Sequence, residues 1–209
     1  MTALLPRLLD TGVLPLAELH AVRLDGELYR IGDAFATVDT PDTAELRAAA
    51  FRLSVPRAAV ADRSTAAWIH GTRAGPPSAL QVCVDSAQRV SATALHGLDV
   101  RQCILAQRDV VLLGEVRVTA PLRTVADLLR TEDRFTPAVI LELRALLELS
   151  GYNAAACRDE IRRQDRLPGT RRALIRLAAM DSVLGDATDY DPERSDSPFR
   201  KPPCEVSPR

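Results

Sequence analysis

The part of the chain that most constrains its fold is a series of short β-branched runs followed directly by a long amphipathic segment. The runs are separated by turns and lie at 80–84, 98–102, 110–113 and 116–119. Short β-branched runs of this kind are typical of strands. From Pro121 onwards the apolar residues instead repeat with the helical period and form one stripe. This order predicts an α+β fold in which an antiparallel sheet of about four strands packs with helices.

Apolar residues at helical spacing predict further helices on both sides of the strands. These helices are expected at 2–10, from Pro15 to Asp25, and at 43–53, 64–70, 137–150, 153–164 and 170–180. Asp42 is the expected N-cap of the helix at 43–53, because Glu45 follows it three residues later in a capping-box pattern.

A β-hairpin is predicted near the N-terminus. Residues 27–31 and 34–38 each carry apolar residues at strand positions, and Gly32-Asp33 supplies a turn between them. Helices followed by a hairpin are the outline of a reduced winged helix, although this stretch leaves no room for a separate recognition helix. Residues 1–45 carry eight acidic residues against three arginines. This excess of acidic residues disfavours contact with the negatively charged DNA backbone.

These patterns divide the chain into four parts. They are a reduced winged-helix-like domain at 1–41, an α+β domain at 42–150, an Arg-rich helical extension at 151–184 and a disordered tail at 185–209. The tail is predicted from its polar, proline-rich composition, which buries too little apolar surface to pack.

The charge composition limits the range of partners. The chain has 209 residues and a formal net charge of -1, so any contact with nucleic acid must come from a local patch. The largest local excess lies at 158–176, where seven arginines stand against three acidic residues. Arg158 and Arg162 share one helix face, as do Arg172 and Arg176, which would allow a phosphate-tracking ridge. A solvated and partly salt-bridged helix face explains the same pattern.

The cysteine and hydropathy patterns favour a cytoplasmic protein. The four cysteines have neither CxxC nor Cys/His spacing, and no apolar signal segment precedes them. We therefore expect reduced thiols rather than a zinc site or a secreted disulfide framework. The longest apolar runs are far shorter than the ~20 residues that a membrane span requires. No membrane partner is expected.

No motif in the sequence points to catalysis or to a cofactor. His20, His70 and His96 each lack a second ligand at i,i+4, as a helical metal site would need. A nucleophile elbow, a phosphate loop with lysine and a dinucleotide fingerprint are also missing. A metal-dependent nuclease would need clustered carboxylates, usually with a nearby lysine, and the one lysine is Lys201 in the predicted tail. We expect a protein that is not an enzyme and that has no metal site and no cofactor.

Four segments carry a resemblance to a known family. They are a Gly-Val pair at 12–13, LYRIGDAFA at 28–36, AAWIHG at 66–71 and VTAPLRTVADL at 118–128. Over residues 12–180 the chain resembles the AbiEi-like antitoxins of type IV toxin-antitoxin systems, which are abortive-infection, phage-defence proteins with actinobacterial members. The last two segments are the more specific ones.

The resemblance implies two binding functions. The N-terminal winged helix would recognise operator DNA, and the α+β domain would help to neutralise a nucleotidyltransferase-like toxin. Arg23, Tyr29 and Arg30 lie nearest the family's DNA-binding role, beside the predicted wing. The arginines of the ridge at 158–176 are the second candidate for DNA contact.

The matching motif residues are expected to be architectural rather than catalytic. They are Trp68, His70, Gly71, Arg123, Thr124 and Asp127. His70 is predicted to cap its helix or to bond a backbone carbonyl, and Gly71 to end that helix. Arg123 and Asp127, four residues apart, are predicted to form an ion pair that organises the domain.

Two departures from the family leave alternatives open. The N-terminal module is short and acidic, and many actinobacterial relatives continue after a segment similar to LPGTRRAL at 167–174 into a repair-endonuclease-like domain. The first alternative is a module that binds a protein partner without binding DNA. The second is the remnant of a nuclease. Neither the operator, the toxin nor the oligomeric state can be inferred from the sequence.

Overall fold

A computed structural model describes residues 6–86, 90–91, 93–164 and 167–187. The N-terminal half contains three helices and three strands: α1 (Leu16–Leu24), β1 (Leu28–Ile31), β2 (Ala34–Thr37), α2 (Ala44–Leu53), β3 (Val60–Ala61) and α3 (Arg63–His70). Four strands and four helices follow: β4 (Gln81–Asp85), β5 (Asp99–Cys103), β6 (Val110–Leu113), β7 (Val116–Thr119), α4 (Pro121–Thr131), α5 (Pro137–Leu149), α6 (Ala154–Arg163) and α7 (Thr170–Ala187). The predicted α+β class is confirmed.

The main sheet is mixed rather than antiparallel, so that part of the sequence prediction is wrong. Its strand order is β5-β4-β3-β7-β6. The pairs β4–β5 and β3–β7 are parallel, whereas β3–β4 and β6–β7 are antiparallel. The central strand β3 has two residues, which is too short to give an alternating pattern in the sequence. Because β3 separates β4 from β7, the chain must cross over instead of forming a simple meander.

Two large apolar cores hold the molecule together. The body core lies between the sheet, α2 and α3, and its largest buried side chains include Trp68, Phe51 and Ile69. The helical core joins α4 to α5, α6 and α7 and contains Leu129, Ile161 and other fully buried residues. The predicted extension at 151–184 therefore shares one continuous core with α4 and α5.

The N-terminal segment pairs with the hairpin instead of forming the predicted helix. Leu9 makes two backbone hydrogen bonds of 2.8 Å with Phe35, so the helix expected at 2–10 is wrong for its described part. Leu9, Leu19, Leu28 and Phe35 form a small core of their own beneath α1. Pro6 disfavours a helix through this stretch, and the exposed edge of β2 offers backbone partners.

The hairpin is attached to the rest of the protein. Ile31 and Ala34 belong to the body core, together with residues of α2 and α3. Gly32 in the hairpin turn has φ +60°, and a Cβ placed there would lie 3.3 Å from Trp68 Cη2. A glycine is therefore required both by the backbone conformation and by the approach of the indole. The division at residue 41 stays a prediction.

Two helix boundaries differ from the predictions. Thr43, not Asp42, caps α2, because its hydroxyl accepts the Leu46 N–H, while Asp42 pairs with Arg47 at 2.7 Å. Helix α7 extends to Ala187, beyond the predicted start of the tail at 185. The remaining tail prediction, for 188–209, lies outside the described residues. No helix in the described ranges has the length and apolar character that a bilayer crossing requires.

Candidate functional site

Eight charged side chains from five parts of the chain meet between the sheet and the helical core. We call them the charged cluster: Asp62, Arg101, Asp109, Arg123, Asp127, Arg130, Glu160 and Arg163. They lie at the start of α3, on β5, before β6, along α4 and near the end of α6. The four arginines balance the four carboxylates.

Helix α4 supplies the centre of the charged cluster. Arg123, Asp127 and Arg130 are spaced i, i+4 and i+7, so they share one helix face, and each is 4% exposed or less. Arg123 Nε donates to Asp127 Oδ2 at 2.7 Å, which confirms the predicted pair. Arg130 Nη1 donates to Asp127 Oδ1 at 3.3 Å. Asp127 also accepts from Arg101 on β5, so one carboxylate serves three guanidinium groups.

Asp62 ties the first turn of α3 to β5. Its carboxylate caps the helix by accepting the Arg63 N–H at 2.8 Å, and it receives two further hydrogen bonds from Arg101. Arg63 has φ 46°, in the left-handed region that side-chain-bearing residues rarely occupy. Its guanidinium is fixed by Asp99 Oδ2 at 3.0 Å. The carboxylates of Asp62 and Asp99 thus hold Arg63 in a strained backbone conformation.

Asp109 and Glu160 connect α6 to the centre of the cluster. Asp109 accepts from Arg163 at 2.8 Å and from Arg123 at 3.2 Å. Arg163 in turn donates to both carboxylate oxygens of Glu160. Gln164 bridges Glu160 and Arg130 Nη1, the latter at 3.0 Å. The polar network therefore runs without interruption from α3 to α6.

Burial and pairing act in opposite directions on the pKa values of the arginines and of Asp62 in the cluster. The pKa of Arg101 and that of Arg123 are raised because the attraction of the neighbouring aspartates outweighs desolvation of the guanidinium. Burial lowers the pKa of Arg130, and its Nε has no hydrogen-bond partner among the described residues. Desolvation also raises the pKa of the Asp62 carboxyl. Removing one partner would leave uncompensated charge in this largely buried network, which is destabilising.

A cavity of about 760 Å³ opens beside the charged cluster. Of the described residues that line it, four are arginines and one is a carboxylate: Arg101, Arg123, Arg130, Arg163 and Asp109. Other described lining residues are Cys103, Ile104, Ala106, Leu167 and Pro168, which are mainly apolar. The cluster is balanced in charge, but the side that faces the cavity is basic.

His70 and its neighbours occupy the structural positions predicted for them. His70 Nε2 lies 2.8 Å from the Thr119 carbonyl oxygen, which links α3 to β7. Gly71 ends α3 in a left-handed conformation with φ 95°. The Thr124 hydroxyl lies 2.7 Å from that of Thr119. These contacts connect α3, β7 and α4.

Stability should depend on the protonation of His70. Burial lowers the pKa of His70, so the folded state favours the neutral ring. A depressed pKa stabilises the fold above the unfolded value of about 6.5, and this stability is lost as the pH falls through the folded pKa. In a plot of the free energy of unfolding against pH, we expect His70→Gln to reduce the slope on the acid side by up to about 1.4 kcal/mol per pH unit. Urea unfolding from pH 7.5 to pH 5 measures this effect, and parallel curves for the two proteins would contradict it.

The predicted DNA-contacting residues of the N-terminal module differ in their surroundings. Arg23 is exposed near the end of α1, and Arg30 is exposed at the end of β1. Arg30 donates to the Gly32 carbonyl at 2.8 Å and pairs with Asp33 at 3.3 Å. The Tyr29 hydroxyl donates to the Thr40 carbonyl at 2.9 Å, and burial raises its pKa. Tyr29 thus holds the hairpin in place, while Arg23 and Arg30 remain accessible.

The arginines of the proposed ridge also separate into two groups. Arg172 donates to the carbonyl of Arg130, and Arg176 donates to that of Leu129 at 3.0 Å. These two arginines on α7 therefore satisfy carbonyls in the last turn of α4, where positive charge is favoured. The Arg176 guanidinium also lies 5.1 Å from the centre of the Phe135 ring.

The α6 arginines of the ridge are less constrained. Arg158 pairs with Asp181 on α7 at 3.5 Å, with both side chains partly exposed. Arg162 is exposed and makes no hydrogen bond or ion pair to another described residue. Among Arg158, Arg162, Arg172 and Arg176, it is therefore the arginine best suited to meet an external anion.

The thiols offer no metal site in the part of the chain that the structure describes. Cys83, Cys103 and Cys157 are free, and no group of three or more His, Cys, Asp or Glu side chains there could hold a metal ion. A hydrogen bond between the two thiols of β4 and β5 lowers the pKa of Cys103 and raises that of Cys83. Cys204 lies outside the described residues.

Sequence reasoning found one ion pair of the charged cluster and missed the others. Arg123 and Asp127 are four residues apart, so helical spacing predicts their contact. The partners Asp62 and Arg101 are 39 residues apart, and Asp109 and Arg163 are 54 apart. The one available signal was the presence of charged residues at otherwise apolar positions of predicted strands and helices.

Comparison with models of protein families and with curated proteins gives no match. Among solved structures, the chain is similar to the RV2827C protein from Mycobacterium tuberculosis, at 14% sequence identity and a TM-score of 0.34. The similarity covers 83% of this chain and 76% of that one. Likeness at this level assigns neither a family nor a function.

Proposed function

We propose that this protein is a cytoplasmic, non-enzymatic regulator of the AbiEi-like antitoxin type, which binds operator DNA and/or neutralises a nucleotidyltransferase-like toxin. The proposal rests on the resemblance of the AAWIHG and VTAPLRTVADL segments to that family. The contacts of these segments support it, since His70, Thr124 and Asp127 all serve to join elements of the fold. Motif residues with such contacts suit a binding scaffold.

The observation that favours the DNA arm of the proposal is the accessibility of Arg23 and Arg30. They lie on α1 and the hairpin, the two elements that would form a reduced winged helix. Arg30 is 59% exposed even though it is paired with Asp33. A guanidinium in that position can exchange an exposed carboxylate for a phosphate at little cost, because surface ion pairs contribute about 0–1 kcal/mol.

The DNA arm is tested by a gel-shift titration with the region upstream of the gene. We expect a complex that weakens as salt is added, because phosphate contacts release counterions. Arg30→Ala should weaken it about tenfold, the loss expected for about 1.4 kcal/mol. Arg57→Ala is the matched control, since Arg57 is exposed and makes no ion pair with another described residue. Arg162→Ala tests the ridge, because Arg172→Ala would also damage the end of α4.

A shift lost only in Arg162→Ala would move DNA binding from the hairpin to α6. No shift at low salt would reject the DNA arm. It would leave toxin neutralisation, tested by co-expression with the protein encoded by the neighbouring gene.

A module that binds a protein partner but not DNA is the second candidate. The observation that favours it is a set of exposed apolar residues on the acidic N-terminal module: Val13, Leu16, Leu24 and Val38. Exposed apolar side chains on an acidic module suit a basic protein partner better than a polyanion. Leu24→Glu should then abolish co-purification of a stoichiometric partner while leaving the fold intact, because Leu24 is 78% exposed. If Leu24→Glu still co-purified with the partner, the hypothesis that these exposed apolar residues bind it would be contradicted.

A further inference from the structure

We infer that the cavity beside the charged cluster is a binding site for a small organic phosphate monoester. This goes beyond the proposed function, which uses the N-terminal module and needs no small ligand. The inference combines three features of the cavity: the arginines among its lining residues, the open donors of three of these arginines, and the apolar residues that also line it.

The charge of the cavity wall favours an anion. Among the described residues, four arginines and one carboxylate, Asp109, line it. The balancing carboxylates Asp62, Asp127 and Glu160 do not line the cavity. A ligand in the cavity therefore meets more guanidinium groups than carboxylates among the described residues, and attraction between opposite charges favours an anion there.

The donors that remain open match a phosphate. Arg101 Nη1, Arg123 Nη2 and Arg163 Nη1 make no hydrogen bond to any described residue, while the other nitrogens of these groups are bound to carboxylates. Three open donors correspond in number to the three terminal oxygens of a phosphate monoester. The carboxylates that already pair with these guanidinium groups hold them in place, so little side-chain entropy is lost when an anion binds.

The volume of the cavity and its apolar lining residues favour an organic phosphate over the free phosphate ion. The volume of about 760 Å³ falls within the roughly 300–1,000 Å³ of small-molecule sites. Inorganic phosphate would fill a small part of it. Ile104 and Leu167 offer apolar contacts in the same cavity, and Ile104 is 82% exposed. A base or another flat apolar group attached to the phosphate would cover them.

The test is calorimetric titration of the full-length protein with adenosine 5′-monophosphate, inorganic phosphate and adenosine at constant ionic strength. We expect saturable one-to-one binding of the nucleotide, at least about tenfold weaker binding of inorganic phosphate, and none of adenosine at roughly millimolar concentration. Equal binding of adenosine would overturn the role of the phosphate. If inorganic phosphate bound as tightly as the nucleotide, the role of the apolar lining residues would be overturned. If no probe bound, the site itself would be overturned.

Two substitutions at the rim locate the binding without disturbing the charged cluster. Ile104→Glu should weaken nucleotide binding at least about tenfold, and Ile104→Lys should strengthen it, because one repels and the other attracts the phosphate. Leu112→Glu is the matched control, since Leu112 is 68% exposed on β6 and does not line the cavity. The same affinity in all three variants would place the nucleotide elsewhere and overturn the assignment.

Cys103 gives a second readout, independent of affinity. It lines the cavity, whereas Cys83 and Cys157 are fully buried. Its lowered pKa makes the Cys103 thiol more reactive towards an alkylating reagent. Bound nucleotide should slow alkylation of Cys103, followed by peptide mass spectrometry. An unchanged rate at saturating nucleotide would overturn binding in this cavity.

Discussion

Replacing Asp127 with alanine is expected to reduce the free energy of unfolding by about 3–5 kcal/mol, the range measured when one member of a buried ion pair is removed. Asp127 has no exposed surface and is the carboxylate shared by Arg101, Arg123 and Arg130. Its loss leaves positive charge in the interior without its partner. A loss of this size is a large part of the roughly 5–15 kcal/mol that stabilises a domain. Urea unfolding followed by circular dichroism measures it.

The control for this change is Asp133→Ala, at an exposed position with no hydrogen bond or ion pair to another described residue. It should change stability by less than about 0.5 kcal/mol. Asp127→Asn keeps the shape of the side chain and separates loss of charge from loss of packing. A change below about 1 kcal/mol in Asp127→Ala would mean that the cluster is not a buried ionic network.

Replacing Trp68 with alanine is expected to cost about 3–5 kcal/mol, as is usual for large aromatic residues in a core. Trp68 is 3% exposed in the body core, and its backbone carbonyl accepts from Arg47 Nη1 at 2.7 Å. Its ring also approaches Gly32 in the hairpin turn. The variant should therefore loosen the hairpin from the body as well as destabilise the core.

Circular dichroism is the appropriate probe, because Trp68 is the one tryptophan of the chain and its removal abolishes the tryptophan fluorescence. Leu24→Ala provides the comparison, since Leu24 is 78% exposed and should contribute less than about 0.5 kcal/mol. Hydrogen exchange of β1 and β2 reports on the hairpin separately. Protection there that survives in Trp68→Ala would show that the indole does not anchor the hairpin.

The sequence predicted local features well and tertiary features poorly. The bounds of β6 and β7 agree with the predicted runs, because each strand is bounded by turn residues and its pattern is complete. Strand β3 was missed because two residues carry no period. Leu9 was predicted to lie in a helix because the local spacing of apolar residues carries no information about a distant pairing partner. That partner is Phe35, on a strand edge 26 positions further along the chain.

The same distinction applies to the candidate site. The pair formed by Arg123 and Asp127 follows from helical spacing, whereas the contact of Asp127 with Arg101 depends on how β5 is placed beside α4. The arginine excess at 158–176 gives the clearest case. Composition predicts a surface for phosphate, but Arg172 and Arg176 use their guanidinium groups on the carbonyls of α4. Counting charges cannot separate arginines that are already bonded from arginines that are free.

The bonds from Arg172 and Arg176 to α4 also decide where the chain can be cut or fused. A fragment that stops at residue 150 would expose the buried side of α4 and leave the carbonyls of Leu129 and Arg130 without these donors. Among the side chains that the structure describes, Met180 on α7 is the last one in the shared core, so the smallest autonomous folding unit extends at least that far. In a longer relative of this architecture, the junction to any appended domain would have to follow α7.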